Sequence, residues 1–247
     1  MPVTPRGDKS AARLSARWCA ASFPSAQLGL FVKIVAALSA IALASSVLAA
    51  QDTATDAGSH PPLAPFSERV LVVVPTSFLL LHDQVGWADK VTDIDKFLAD
   101  FDAELEFALK DRKLGRSWIL SSRLAAEYKR NQDYMADPTH LAGDFLRYPG
   151  PKKPLEYLPD PLEGELRTII AVNDKAEFVL YPIELRFVKA PEGIGGRLAL
   201  RAAIIDPRHA KIAWMGDVFS STEKEFSPAL LASLAEHLAN DFARPTN

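Results

Sequence analysis

Hydrophobic and polar positions alternate in blocks that change period along the chain. "ERVLVVVP" is apolar on successive residues and stops at Pro75, which predicts a short strand at 69–74, buried on both faces. From Thr92 the apolar residues Ile94, Phe97, Leu98, Phe101, Leu105 and Leu109 recur at three- and four-residue steps. That is the stripe of an amphipathic helix, with Thr92 placed to cap it and Asp93 and Asp95 at its positive end. "RSWILSS" predicts a second short strand, followed by a helix to Arg130 capped by Ser121 or Ser122. Asp137-Pro138 and Asp160-Pro161 each suit an N-cap followed by proline at the first helical position, and Glu163 would complete a capping box. Leu162, Leu166, Ile169 and Ile170 make the buried stripe of the helix that follows.

The last third is β-rich. In "EFVLYPIELRFVK" the first half is apolar throughout, whereas Tyr181, Ile183, Leu185 and Phe187 later alternate with Pro182, Glu184 and Arg186. This predicts a strand whose second half has one face in water. "RLALRAAIID" and "AKIAWMGDVFSS" follow as two further strands, and Ser227-Pro228 caps a closing helix with Leu230, Leu231, Leu234, Leu238 and Phe242 inside. The expected fold is α/β (α+β). It has a single mixed five-stranded sheet, an antiparallel meander of the carboxyl-terminal strands, and helices packed on the sheet.

Upstream of this pattern, an apolar run from Ile34 to Leu48 lies between Lys33 and the small residues before Gln51. It has the n-region, h-region and cleavage-site order of a secretory signal peptide, cut after Ala50. The stretch before it is long for an n-region. Either it is a long basic leader, or translation starts at Val32 and residues 1–31 lie outside the chain made in the cell. Residues 51–66 read as a flexible spacer and 67–244 as one α/β domain, crossed by a proline-rich extended loop at 148–161.

Composition narrows the function. Cys19, the only cysteine, is removed with the leader, so disulfides, cysteine metal sites and thiol catalysis are excluded, and so is a lipid anchor. The chain holds 28 basic and 31 acidic residues, and five basic and one acidic of them lie in the leader. The exported chain therefore carries a net charge of −7, which disfavours nucleic acid and anionic lipid as partners. His60, His82, His140, His209 and His237 form no metal-binding spacing, and no nucleophile elbow or phosphate-binding glycine loop occurs. Neither metal nor cofactor is implied.

Three stretches invite a chemical reading. The carboxylates between Asp93 and Asp111 fall between the apolar positions of a helix, which makes them a solvated outer face. Asp206-Pro207-Arg208-His209 joins two strands, and its residues suit a type I turn better than a reactive cluster. Residues 75–91 form a connection far longer than the usual two to six or so, and they carry Phe78, Leu79, Leu80 and Trp87. These residues either fold over the sheet edge as extra core or form an apolar contact surface for a protein partner.

The strands "LYPIELRF" and "RLALRAAIIDPRHAKIAWMGDV", with the closing "SPALLASLAEHLANDF", resemble a widespread bacterial envelope fold. Its members include the amino-terminal domain of TolB, the lipoprotein activators of penicillin-binding proteins, and the curli secretion lipoprotein CsgG. The matching positions are Asp206, Trp214 and Gly216. The resemblance implies a non-enzymatic domain used in envelope assembly or protein contacts. The chain lacks a lipobox cysteine, a β-propeller and a membrane-inserting hairpin, so no functional residue carries over. The expectation is a periplasmic accessory protein that binds an envelope protein. The alternatives are a module for a small ligand or cell-wall fragment and an unsignalled hydrolase. Export and cleavage predict a mature chain that begins at Gln51. Amino-terminal sequencing of the protein recovered from the periplasm checks this, and a chain still carrying residues before Gln51 would contradict it.

Overall fold

β1 (Leu71–Val73) and β2 (Leu79–Leu80) both pair in parallel with β3 (Phe178–Lys189), one after the other along the same flank. β4 (Gly196–Asp206) and β5 (Lys211–Phe219) continue the sheet antiparallel on the other flank, in the order β1-β3-β4-β5. The helices are α1 (Ile94–Asp111), α2 (Ser121–Arg130), α3 (Leu162–Val172) and α4 (Ala229–Ala243). This is a computed structural model, and it describes residues 63–148, 155 and 157–243. The predicted signal peptide, most of the predicted spacer and half of the predicted proline-rich loop lie outside the described residues. No described helix is long and apolar enough to cross a membrane.

The mixed five-stranded sheet is the one expected, but one of its strands is different. "RSWILSS" makes only an isolated bridge, Val72 with Ile119, closed by the hydrogen bonds Ile119 N to Leu71 O and Val73 N to Ile119 O (both 2.8 Å). The fifth strand is β2, drawn from the long connection. Its placement follows from Pro182. Val74 N donates to Leu180 O, so the backbone groups of residue 180, and by parity those of 182, point towards β1. Proline has no N–H to offer, and opposite it the chain leaves the sheet, returning where Leu185 N meets Phe78 O (2.9 Å).

The same place carries a bulge, between Pro182 and Glu184. A bulge inserts one residue and reverses which face the later side chains take. Tyr181 and Ile183 therefore face α2 and α3 with Val179, whereas Leu185 and Phe187 join Leu180 under α1 and α4. The expected alternation, with all four on one face and 182, 184 and 186 in water, is thus incorrect: Pro182, Glu184 and Arg186 are all buried.

The first core packs Phe97, Phe101, Leu105 and Leu109 of α1 and Leu230, Leu231, Leu234, Leu238 and Phe242 of α4 against Leu198, Leu200, Ile204 and Trp214 of the sheet. Trp118 meets Phe242 edge to face at 4.9 Å. Ile94, at the end of the α1 stripe, is exposed. The folded part also reaches further back than the predicted spacer boundary. Leu63 is buried, 64–66 form a 3-10 turn, and Phe66 packs edge-on against Phe178.

Several caps differ from expectation. Asp93, not Thr92, caps α1 by accepting from Lys96 N (2.9 Å). α2 and α3 start without a side-chain cap. Asp137-Pro138 opens no helix, because the Asp137 carboxylate is taken by the N–H and hydroxyl of Thr139 in a local turn. Ser227 does cap α4, accepting from Ala229 N (3.1 Å). Phe101 is fully buried between α1 and the sheet, so Phe101→Ala is expected to cost about 3–5 kcal/mol, read from urea unfolding midpoints.

Candidate functional site

The hairpin between β4 and β5 is held by its own residues. Asp206 Oδ1 accepts from the N–H of Arg208 (3.1 Å) and of His209 (3.2 Å), and Oδ2 lies 2.7 Å from His209 Nδ1. Arg208 Nη2 donates to the carbonyls of Asp174 and Ala176. Asp206 and His209 thus serve the turn, and Arg208 ties it to the segment after α3. Among the described residues, no cluster of three or more His, Cys, Asp or Glu could hold a metal ion.

In the connection 75–91 the four singled-out residues separate. Leu79 and Trp87 are buried in the first core, where Trp87 meets Phe187 at 6.0 Å and Phe226 at 6.2 Å. Asp83 shapes this part of the loop, accepting from the N–H groups of Val85, Trp87 and Ala88. Phe78 and Leu80 are half-buried and lie on the opposite side of β2, and the next residue, Leu81, is 52% exposed. Leu79 and Trp87 are therefore core, and only Phe78 and Leu80 remain at a surface.

That surface borders a row of charges. In the sheet register Glu184 of β3 lies opposite Arg201 of β4, and Arg201 lies opposite Asp217 of β5. Arg186, opposite Leu80 in β2, joins the ends of the row: Nη1 is 3.3 Å from Glu184 Oε1, and Nη2 is 2.5 Å from Asp217 Oδ2. Arg201 Nη1 adds a 3.5 Å contact to Asp217. Glu184 is only 1% exposed and Arg186 6%. Charges buried this deeply persist only when paired.

The row also holds down the segment that crosses it. Arg201 Nε donates to Leu146 O (2.8 Å), and Tyr148 N donates to Glu184 Oε1 (2.9 Å). Upstream, a Cβ at Gly143 would collide with the Tyr181 ring, so the absence of a side chain lets the backbone pass over it. Burial pushes the Tyr181 phenol up to about 12, so it stays protonated. The tethered segment then sets two cation–aromatic contacts: Arg147 lies 3.5 Å from the Phe78 ring centroid, and Arg186 lies 4.6 Å from that of Tyr148. Arg147 is fixed from behind by Asp144 (2.9 Å), and Tyr148 is 56% exposed. Phe78, Leu80, Arg147 and Tyr148 thus belong to one end of the sheet, on the face that α2 and α3 cover elsewhere, and the exposed Leu81 follows Leu80 directly in the chain.

A second feature lies where β1 ends. Asp102 of α1 accepts the Thr76 N–H with both carboxylate oxygens (3.0 and 3.1 Å). Burial is the largest influence and raises its pKa to about 7, although the bonds from Thr76 act the other way. Glu106, one turn on, is held below the ordinary value. Burial pushes it up, but bonds from Lys110 and Ser122 outweigh that. The carboxylates of α1 are therefore not uniformly a solvated face. Asp102 borders the apolar stripe, four residues after Leu98 and three before Leu105, and that spacing was the available signal.

No family model matches the chain, and no curated protein does. Among solved structures it is similar to a PelC dodecamer from Paraburkholderia phytofirmans, with 12% identity, a TM-score of 0.35, and 76% of this chain and 95% of that one covered. It is also similar to a lipoprotein from Neisseria meningitidis, with 16% identity, a TM-score of 0.33, and coverage of 72% and 99%. A hypothetical protein from Chlamydia trachomatis follows, with 13% identity, a TM-score of 0.30, and coverage of 71% and 93%. These likenesses are weak and establish no family for the chain.

Replacing Arg186 with methionine leaves Glu184 and Asp217 without their buried partner. Arg186→Met is expected to cost about 3–5 kcal/mol, and adding Glu184→Gln should recover part of it. Chemical denaturation of the single and double variants checks both values.

Proposed function

We propose that the protein is a non-enzymatic accessory factor of the cell envelope that binds another protein through the surface of Phe78, Leu80, Leu81, Arg147 and Tyr148. The observation that carries this reading is the buried charge row. It fixes an aromatic and arginine surface in place while leaving Leu81 and Tyr148 more than half exposed. Tyrosine, phenylalanine and arginine concentrate binding energy at protein interfaces, and side chains ordered beforehand lose little entropy on association.

A second reading, a module for a small ligand or cell-wall fragment, is favoured by a different place. An open groove of about 500 Å³ runs between the turn after α2 and the start of α3, lined in part by Tyr134, Met135, Asp160, Glu165 and Thr168. A thermal-shift screen separates the two readings, since a ligand of the groove would raise the melting temperature.

The test of the leading reading is crosslinking in intact cells followed by capture of the tagged protein. A specific envelope protein is expected, and Leu81→Ser with Tyr148→Ala should reduce its recovery at least tenfold while leaving the melting temperature within a few degrees. Unchanged recovery from the double variant would overturn the assignment of this surface.

A further inference from the structure

The chain leaves the sheet at Val74-Pro75-Thr76 and returns in β2, so Thr76 stands at the hinge of the segment that carries Phe78, Leu80 and Leu81. Thr76 is itself buried, and its N–H is taken by both oxygens of Asp102. The bond joins the start of this segment to α1, 26 residues away in sequence. The charge acting on Asp102 from its own helix is that of Glu106, already bonded to Lys110 Nζ (2.6 Å) and to the Ser122 hydroxyl at the start of α2 (2.9 Å). From the β1–β2 side Asp102 meets Thr76, which carries no charge.

We propose that Asp102 is a proton-operated latch, setting how firmly residues 75–81 are docked on α1 and thereby regulating the contact surface they carry. The regulatory half rests on the function proposed above, whereas the latch does not. With its proton, Asp102 still accepts from Thr76 and brings no charge into the interior. Without it, a partly buried negative charge faces Glu106, and opening of the hinge restores its full hydration.

The direction follows from linkage. The closed state holds its proton up to about pH 7, whereas an opened Asp102 releases it near the ordinary value of 3.8. Between these values the closed state binds more protons, so it loses stability as pH rises, and above about 7 the loss levels off. Docking is therefore firmest in acid and weakest at neutral to alkaline pH.

Amide hydrogen exchange of the purified protein, corrected for intrinsic rates, reads this directly. Protection at residues 76–81 should fall by up to about tenfold per pH unit from pH 5 to 7 and then flatten. Asp102→Asn, which keeps an acceptor without the charge, should remove that dependence. Asp102→Leu should lower protection at every pH by leaving the Thr76 amide unpaired. The same pH dependence in Asp102→Asn as in the wild type, full protection in Asp102→Leu, or equal changes across β3–β5 would each overturn the latch. Crosslinking yield at pH 5.5 and 8 then tests the regulatory half. A yield that does not follow the exchange data would overturn regulation and leave the latch standing, and capture of no partner would overturn the proposed function alone.

Discussion

The one residue on which the layout turns is Pro182. A proline in the middle of a sheet forfeits a ladder hydrogen bond, and here the loss falls where the neighbouring chain is absent. The interruption and the bulge beside it have two effects. The chain between β1 and β2 is released to reach α1, and the second half of β3 is turned over. Without the reversal, Glu184 and Arg186 would point into the apolar layer beneath α1 and α4. With it, Leu185 and Phe187 fill that layer and the charged pair goes to the other face.

On that face the charges take over where apolar packing ends. The half of the sheet around Val179, Tyr181, Ile183, Ala203 and Ile205 is closed by hydrophobic contact with Leu124, Leu162, Leu166 and Ile169. Further along, Glu184, Arg201, Asp217 and Arg186 bind each other and the backbone of residues 146 and 148 instead. Such a network is directional where hydrophobic packing is not. It fixes the Arg147 and Tyr148 side chains at the price of desolvating four charges, and desolvation makes a poor source of stability. A feature that adds little stability but orders an exposed aromatic surface fits a role in recognition better than a role in folding.

Periodicity made the helices and long strands legible, because α1, α3 and α4 each bury a stripe at helical spacing, β5 alternates from Trp214 on, and β4 is an almost continuous buried run. The features that periodicity hid are those where one residue departs from it. The β3 bulge splits Tyr181 and Ile183 from Leu185 and Phe187, and strict alternation cannot show that, although Pro182 was a visible warning. β2 is only two residues long and pairs with a strand about a hundred positions away, so no local signal could separate Leu79 from Phe78 and Leu80. The charge row needs three strands in register before Glu184, Arg201 and Asp217 become neighbours.

Asp102 and Glu106 show how far environment outweighs residue type. They sit one turn apart on the same helix, yet one is driven up and the other held down. Glu106 lies on the α2 side, where a lysine one turn on pairs with its charge and a serine hydroxyl donates a hydrogen bond to it. Asp102 lies nearer the sheet, where its hydrogen bonds come from one backbone amide and no cation is paired with it. One N–H shared between two oxygens stabilises a carboxylate less than a lysine and a hydroxyl together do, so burial prevails at Asp102 and not at Glu106. The difference traces back to the gap opposite Pro182. Had β1 run on as a continuous strand, the Thr76 amide would have joined the ladder with β3, and Asp102 would have lost that donor.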